Sequence, residues 1–282
     1  MSKIRIVTDS TADLSQELVE RYQIKVVPLD VLIEGTAYKD KIDLTNEEFY
    51  EILRSIKDLP TTSQPSPAVF ADVYRELAAE GAEHIISIHI SSDLSGTYQS
   101  SVLAAGMVEQ EVAVHNFDSR SATMGLGLVV LSAARMVEEG HSVEEILDSV
   151  KVIIQKLDLL LDSLDNLHKG GRIGKASHLF GSLLNIKPVL NLSNGVISAY
   201  EKVRGNKDNK ALERLIAILA EKIDPSKKLY TMGYCDNRDV AEYIVERLQN
   251  HVDCDEFVYL QIGSVVGTHI GMGAVGMAFY QL

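Results

Sequence analysis

The chain has 282 residues, of which 46% are hydrophobic and 24% are charged, a composition typical of a globular protein with a sizeable core. Its formal net charge of −13 at pH 7 opposes the positive surface that neutralises nucleic-acid phosphates, so nucleic acid is not an expected partner. The sequence has no secretory-leader pattern and no run near the roughly 20 apolar residues of a membrane span, which predicts a cytoplasmic protein.

The first half of the chain predicts strands that alternate with helices. Residues 3–8 form a β-branched run, and a helical stripe at Leu14, Leu18, Val19 and Tyr22 follows the capping residues Asp9, Ser10 and Thr11. The next extended run, residues 24–33, is interrupted by Pro28 and favours a bent or edge strand. Two capping boxes, Thr45 with Glu48 and Ser142 with Glu145, predict two further helix starts.

Two buried-looking runs, residues 84–90 and 111–117, predict further strands, and apolar periodicity predicts helices over residues 99–108 and 124–137. Alternation of this kind indicates a parallel sheet covered by helices on both faces. We therefore predict an N-terminal three-layer α/β/α domain over residues 1–157. The helix over residues 124–137 is expected to pack mainly in the core. The alternative is that it lines a tunnel for a ligand.

Two hydroxyl-rich stretches stand out within this first domain. PTTSQPSP, residues 60–67, is predicted as a loop ahead of a helix that begins at Pro67 after the capping residue Ser66. SSDLSGTYQSS, residues 91–101, follows the predicted strand 84–90. In parallel sheets ligands bind beyond the carboxyl ends of the strands, so both stretches are candidate binding loops.

The chemistry of these loops fits an anion. Short hydroxyls and backbone N–H groups at helix N-termini replace the water around a buried carboxylate or phosphate without adding charge. Thr62, Ser63, Ser95 and Thr97 are the candidate donors, and Gly96 allows a close backbone approach. The pattern alone is equally compatible with hydroxyls that only cap helices.

Ser95 is also a conceivable nucleophile. The nucleophile elbow of hydrolases requires glycine two residues before and two residues after the serine, whereas Asp93 and Thr97 occupy those positions here. A self-sufficient acyl hydrolase or phosphotransferase that uses Ser95 is therefore a weaker alternative.

The second half of the chain has a different pattern. Asn194-Gly195, between two extended runs, is a strong hairpin signal because a type I′ turn needs positive φ at both central residues. Amphipathic helices are predicted over residues 212–223 and 240–248, and strands over residues 229–234 and 257–262. We predict a C-terminal α/β domain with a mixed sheet over residues 158–282.

Residues 170–177, GGRIGKAS, resemble a phosphate loop only superficially. The spacing between Gly170 and Gly174 is one residue short, and Ala176 replaces the Ser or Thr that binds magnesium. Lys169, Arg172 and Lys175 nevertheless form a basic cluster that suits an anionic ligand or the acidic surface of a partner, with a solvated turn as the alternative.

His269 is predicted to lie in a flexible glycine-rich loop, between Gly267 and Gly271, where it could hydrogen-bond an anion or play a structural role. The eight histidines form no HExxH or HxH group, and the two cysteines, Cys235 and Cys254, form no CxxC pair. Neither a metal site nor a cofactor is expected, and both thiols are predicted to be reduced.

The order of five motifs resembles the DegV family of bacterial fatty-acid-binding proteins. The motifs are TDSTADL (residues 8–14), TSQPSP (62–67), SSDLSGTYQSS (91–101), LDNLHKGGRIG (164–174) and GTHIGMGAVG (267–276). The resemblance implies two α/β domains that bury a long-chain fatty acid, and a non-catalytic role in presenting its carboxyl group to a separate ATP-binding fatty acid kinase, which forms the acyl phosphate.

The resemblance also assigns residues. Thr62, Ser63 and Ser95 match the carboxylate-binding hydroxyls, and His269 matches the histidine of the C-terminal motif. Arg172 and Arg204 match basic positions that could contact the partner or an anion. Met272 stands where the family often has proline. A regulatory lipid-binding protein without a kinase partner remains a second alternative.

Overall fold

We describe a computed structural model of the chain, covering residues 3–162, 167, 170–175, 186–204, 210–224, 226, 229–249 and 256–280. The elements up to residue 156 are β1 (Ile4–Asp9), α1 (Gln16–Arg21), β2 (Lys25–Val27), β3 (Asp30–Ile33), β4 (Thr36–Lys39), α2 (Asn46–Ser55), β5 (Thr61–Ser63), α3 (Pro67–Ala79), β6 (His84–His89), α4 (Thr97–Met107), β7 (Ala113–Asp118), α5 (Thr123–Glu138) and α6 (Val143–Lys156). Both predicted capping boxes are present, at Thr45 and at Ser142.

The remaining elements belong to the second half of the chain. They are β8 (Leu157–Leu161), β9 (Ile186–Ser193), β10 (Val196–Arg204), α7 (Lys210–Lys222), β11 (Leu229–Tyr234), α8 (Arg238–Gln249), β12 (Glu256–Gln261), α9 (Ser264–Ile270) and β13 (Val275–Tyr280).

A four-stranded parallel sheet in the order β2-β1-β6-β7 confirms the predicted α/β class. Register pairs such as Ile6 with Ile86, and Ile86 with His115, align the strands so that their carboxyl ends share one edge. Helices α3 and α4 pack on one face, where Phe70 and Tyr74 are buried with Ile85. Helix α5 packs on the other face. The loops after β1, β6 and β7 therefore meet at the same edge.

A small antiparallel sheet, β4-β3-β5, corrects two predictions. Residues 24–33 do not form one bent strand, because β2 joins the parallel sheet whereas β3 joins the small sheet, with Pro28 between them. Residues 61–63 are not a loop, because Val31 pairs with Thr62 and Asp30 pairs with Ser63. A third correction concerns α1, which begins only at Gln16, after Ser15 caps it, and follows a short turn of 3-10 helix.

The second half forms a six-stranded mixed sheet in the order β10-β9-β8-β13-β11-β12. The predicted hairpin joins β9 to β10, with positive φ of 51° at Asn194 and 84° at Gly195. Strand β8 begins directly after α6 ends at Lys156. Helix α5 contacts strands of both large sheets, and the division into domains at residue 157 stays a prediction.

Candidate functional site

An apolar cavity of about 320 Å³ lies at the meeting point of the three sheets. Its size falls within the range of small-molecule pockets. Its apolar lining consists of Leu29, Ile90, Leu94, Ala122, Met124, Leu159, Leu161, Leu167, Leu192, Ile197, Ile262, Val265, Val266, Ile270, Ala274 and Val275. Its polar lining consists of Thr62, Ser63, Gln64, Ser95, Thr123, Arg172 and His269. A cavity of this composition suits a ligand that is mostly apolar and carries a small polar group.

Thr62 and His269 form the centre of the polar lining. Thr62 Oγ1 lies 2.9 Å from His269 Nε2, although 207 residues separate the two in sequence. Strand β5 places Thr62, and helix α9 places His269, so the prediction of a glycine-rich loop around His269 was wrong.

The glycines around His269 build a helix rather than a loop. Gly263 is the N-cap of α9, and Gly271 ends the helix at a φ of 86°. Gly267 lies inside the helix, and its lack of a side chain lets α9 approach α2 closely, since a Cβ there would come within 2.8 Å of Phe49 and 2.9 Å of Tyr50. The sequence signal was present, since a glycine after an apolar run is a common helix stop.

The electrostatics of His269 favour a neutral ring. Burial, and then the positive charge of Arg172, lower the pKa of His269 from 6.5 to about 4. Its Nδ1 atom is buried and has no hydrogen-bond partner. A neutral imidazole has one donor and one acceptor nitrogen, so a ligand at this position can complete the hydrogen bonding of the ring.

The second hydroxyl loop reaches the same cavity through Ser95. Ser95 Oγ lies 2.9 Å from the hydroxyl of Thr97, and the backbone N–H of Thr97 donates to Ser95 Oγ at 3.4 Å. Thr97 itself is fully buried and lies outside the cavity lining. The structure therefore places Thr97 behind Ser95, where it orients the Ser95 hydroxyl.

Gly96 and Gln64 bring the two loops together. A Cβ on Gly96 would lie 2.4 Å from Gln64 Oε1, so only glycine lets the Gln64 side chain pack against this backbone. Both residues line the cavity. Sequence analysis singled out Gly96 for this freedom but did not identify Gln64 as its partner.

Arg172 belongs to the polar lining of the cavity together with Thr62 and His269. Its Nη1 donates to the carbonyl of Gly170 at 2.8 Å, and its Nε to the carbonyl of Leu94 at 3.5 Å. The guanidinium group thus joins the turn at residues 170–175 to the loop of Ser95. Arg204 ends β10, and its side chain lies outside the described residues, as does Lys169.

A surface groove of about 530 Å³ shares Thr62, Arg172 and His269 with the cavity. Its lining also includes the exposed Lys57 and Asp58 and the buried Pro60. The two spaces thus meet at these three polar residues, and a group bound beside Thr62 and His269 lies next to the groove.

Two buried aspartates support helix α9, and sequence analysis did not identify them. Asp13 accepts from the N–H of Gly263 at 2.9 Å, and Asp40 accepts from the N–H and the hydroxyl of Ser264 at 3.3 and 2.6 Å. Burial raises the pKa of Asp13 to about 6, although Lys41 Nζ, 3.5 Å away, opposes that shift. The two carboxylates fix the start of the helix that carries His269.

The turn after α9 is also held by side chains. Gly273 donates its N–H to Asp236 at 2.8 Å, and Asn237 donates to the carbonyl of Gly273 at 3.0 Å. Met272, at the position where the sequence resemblance leads us to expect a proline, is 42% exposed between these glycines. Hydrogen bonds therefore fix this turn without the proline.

Other kinds of site have little support in the described part of the chain. That part contains no cluster of three or more residues able to hold a metal ion. No described helix is long and apolar enough to cross a membrane. Cys235 is a buried free thiol, and Cys254 lies outside the described residues.

The chain is similar to known proteins over its whole length. A family model described as an uncharacterised protein of the DegV family matches residues 3–282. A DegV domain-containing protein of Caldanaerobacter subterraneus is 39% identical and covers 99% of each chain. The fatty-acid-binding DegV family protein from Thermus thermophilus has a TM-score of 0.88 at 38% identity, over 100% of both chains. DegV from Bacillus subtilis, a fatty acid binding protein, has a TM-score of 0.87 at 34% identity, also over 100% of both chains. The chain belongs to the DegV family.

Proposed function

We propose that this DegV family member binds a long-chain fatty acid, with the carboxylate at Thr62, Ser63, Ser95 and His269 and the acyl chain in the cavity. The observation that carries the proposal is the composition of the lining, since apolar side chains form most of it and the hydroxyls, Gln64, Arg172 and His269 form its polar part. The solved relatives from T. thermophilus and B. subtilis, which bind fatty acids, support this choice of ligand.

The energetics agree with a fatty acid. Burying about 14 methylenes at about 0.8 kcal/mol each is worth on the order of 11 kcal/mol before the costs of ordering the ligand. A carboxylate next to this wall must recover hydrogen bonds. The hydroxyls and a neutral His269 offer such donors, and Arg172 adds a positive charge close to His269.

We further propose that the protein presents the carboxyl group to a separate ATP-binding kinase, which phosphorylates it. The groove at Lys57 and Pro60 supports this step, because it shares Thr62, Arg172 and His269 with the cavity. Arg172 and Arg204 are the proposed contacts with the kinase or with the transferred phosphoryl group. The predicted cytoplasmic location would place the protein beside such a kinase.

The direct test is the lipid content of protein purified from cells. Denaturing extraction followed by mass spectrometry should release long-chain acids in near-stoichiometric amount, and delipidated protein should take up added fatty acid. If no lipid is released and no fatty acid binds, the proposed function is wrong. Acyl phosphate formed with ATP and a cognate kinase would establish the second step, whereas ligand without acyl phosphate would favour a regulatory lipid-binding role.

The hydrolase alternative is tested with the same preparation. In the described structure the hydrogen bonds of Ser95 Oγ are to Thr97 and not to a histidine that could act as its base. We expect no turnover of acyl esters by the isolated chain. Ester hydrolysis that Ser95→Ala abolishes would instead establish a self-sufficient enzyme.

A further inference from the structure

Met124, near the start of α5, lines the acyl cavity but turns the end of its side chain into a slot in the six-stranded sheet. Two glycines form the slot, Gly233 on β11 and Gly276 on β13, and they are direct register partners. A Cβ on Gly233 would lie 2.1 Å from Met124 Cε, and one on Gly276 would lie 3.1 Å from it. The methyl group of Met124 thus occupies the space that two side chains would otherwise fill.

The backbone around Met124 is fixed. The hydroxyl of Thr231, two residues before Gly233 on the same face of β11, donates to the carbonyl of Met124 at 2.6 Å. A change in the slot must therefore be absorbed by the side chain of Met124, because the start of the helix is held in place.

The two glycines differ in what they tolerate. A Cβ on Gly276 would also meet the carbonyl of Leu160 at 2.6 Å, so a substitution there disturbs the backbone of the sheet. The three atoms nearest to a Cβ on Gly233 are two of Met124 and, at an ordinary 3.5 Å, one of Ile262. Alanine at position 233 should consequently displace the flexible end of Met124 and little else.

The displaced side chain of Met124 would move into the cavity. Met124 is a core residue, 1% exposed, and it lines the cavity, so the cavity is open space that its side chain borders. We propose that Met124, seated between Gly233 and Gly276, is a specificity-determining residue that sets how long an acyl chain the cavity accepts. This inference rests on the proposed function, since it concerns the same cavity.

The test measures the affinities of delipidated wild type and variants for saturated acids of graded length. Gly233→Ala should weaken binding of an 18-carbon acid about tenfold or more, which is the loss of affinity expected when about two methylenes of the acid can no longer be buried in the cavity. A 12-carbon acid should change less than threefold, and the acids extracted from the purified variant should shift to shorter chains. Met124→Ala should have the opposite effect and favour longer acids.

The double variant Gly233→Ala/Met124→Ala is the matched control, because it keeps the new methyl group but removes the side chain that this group displaces. It should regain binding of the 18-carbon acid. Three outcomes would overturn the inference while the wild type still binds fatty acid. They are equal losses of affinity for acids of all lengths, unchanged affinities in both single variants, and a double variant that binds the 18-carbon acid as weakly as Gly233→Ala. A wild type that binds no acid of any length would overturn the proposed function itself. If Gly233→Ala does not fold, Met124→Ala alone decides, through the presence or absence of the shift to longer acids.

Discussion

Two histidines in this protein each contact a hydroxyl, in regions with opposite character. His269 Nε2 lies 2.9 Å from Thr62 Oγ1 at the edge of the cavity. His89 Nε2 lies 2.7 Å from Ser87 Oγ, and its Nδ1 lies 3.0 Å from Asp9 Oδ2, inside the parallel sheet. The second arrangement has the connectivity of a Ser-His-Asp triad.

The difference lies in access and in unused hydrogen-bonding capacity. His89, Ser87 and Asp9 are all fully buried, and the Ser87 hydroxyl has a further partner, the hydroxyl of Tyr74 at 2.8 Å. His269 borders a cavity and has a buried Nδ1 without a partner. A triad-like set of distances alone therefore does not identify a site, whereas His269 combines a free hydrogen-bonding atom with a place at the cavity and stays the candidate.

The largest effect on stability is expected for a substitution in the buried group of Asp9, Ser87 and His89. Asp9 accepts from the N–H groups of Thr11 and Ile90 and contacts His89, so Asp9→Ala leaves several buried polar atoms unpaired. We expect the free energy of unfolding to fall by about 3–5 kcal/mol, measured by urea denaturation. Asp72→Ala, which removes a carboxylate that is 80% exposed, is the control and should change it by less than about 0.5 kcal/mol. A loss below about 1 kcal/mol for Asp9→Ala would contradict a structural role of this group.

A second effect follows from the lowered pKa of His269. Its pKa is about 4 in the folded protein and 6.5 when unperturbed, so between these values the unfolded chain binds more protons. Acidification from pH 6.5 to 4 therefore destabilises the wild type, by up to about 3 kcal/mol through this group. His269→Gln lacks this group, and its stability should improve relative to the wild type as the pH falls through that window. Parallel stability curves for the two proteins would show that the His269 pKa is not lowered.

Asp13 should act in the opposite direction. Its pKa is raised from 3.8 to about 6 by burial, so between these values the folded protein binds more protons and loses stability as the pH rises. Asp13→Asn keeps an oxygen for the N–H of Gly263 but removes the charge. Its stability relative to the wild type should therefore improve from pH 4 to pH 7, which unfolding curves at several pH values would show. If Asp13→Asn instead became less stable relative to the wild type from pH 4 to pH 7, the ion pair of Asp13 with Lys41 would outweigh the cost of desolvation.

Local signals in the sequence predicted a large part of this molecule. The capping boxes at Thr45 and Ser142 and the Asn194-Gly195 hairpin were confirmed because each depends on residues close together in the chain. The parallel sheet was confirmed because strands that alternate with helices along the chain indicate it. The family resemblance was confirmed as well. The carboxylate-binding role of Thr62, Ser63, Ser95 and His269 stays a prediction that the geometry of the cavity supports.

The features that were missed depend on contacts distant in sequence. Strand β5 is only three residues long, and its pairing with β3 defines it as a strand. Asp13 contacts Gly263 across 250 residues, and nothing near Asp13 in the sequence indicates that partner. Gly267 lies where α9 packs closely against α2, with room for no Cβ, and periodicity alone cannot show such a close approach.

The smallest effect is expected for a substitution of Thr62, which contacts His269 in the polar lining of the cavity. Thr62→Val removes the hydroxyl next to His269 but keeps the shape of the side chain, so a bound carboxylate would lose one hydrogen bond. We expect fatty acid affinity, measured by isothermal titration of delipidated protein, to fall about tenfold, the value of one hydrogen bond to a charged group. Thr61→Val, at an exposed position of the same strand, is the matched control and should bind like the wild type. Because Thr62 is not part of the buried group of Asp9, its variant should lose affinity without the loss of stability expected for Asp9→Ala. Equal affinities of the two valine variants would mean that the carboxylate binds elsewhere in the cavity.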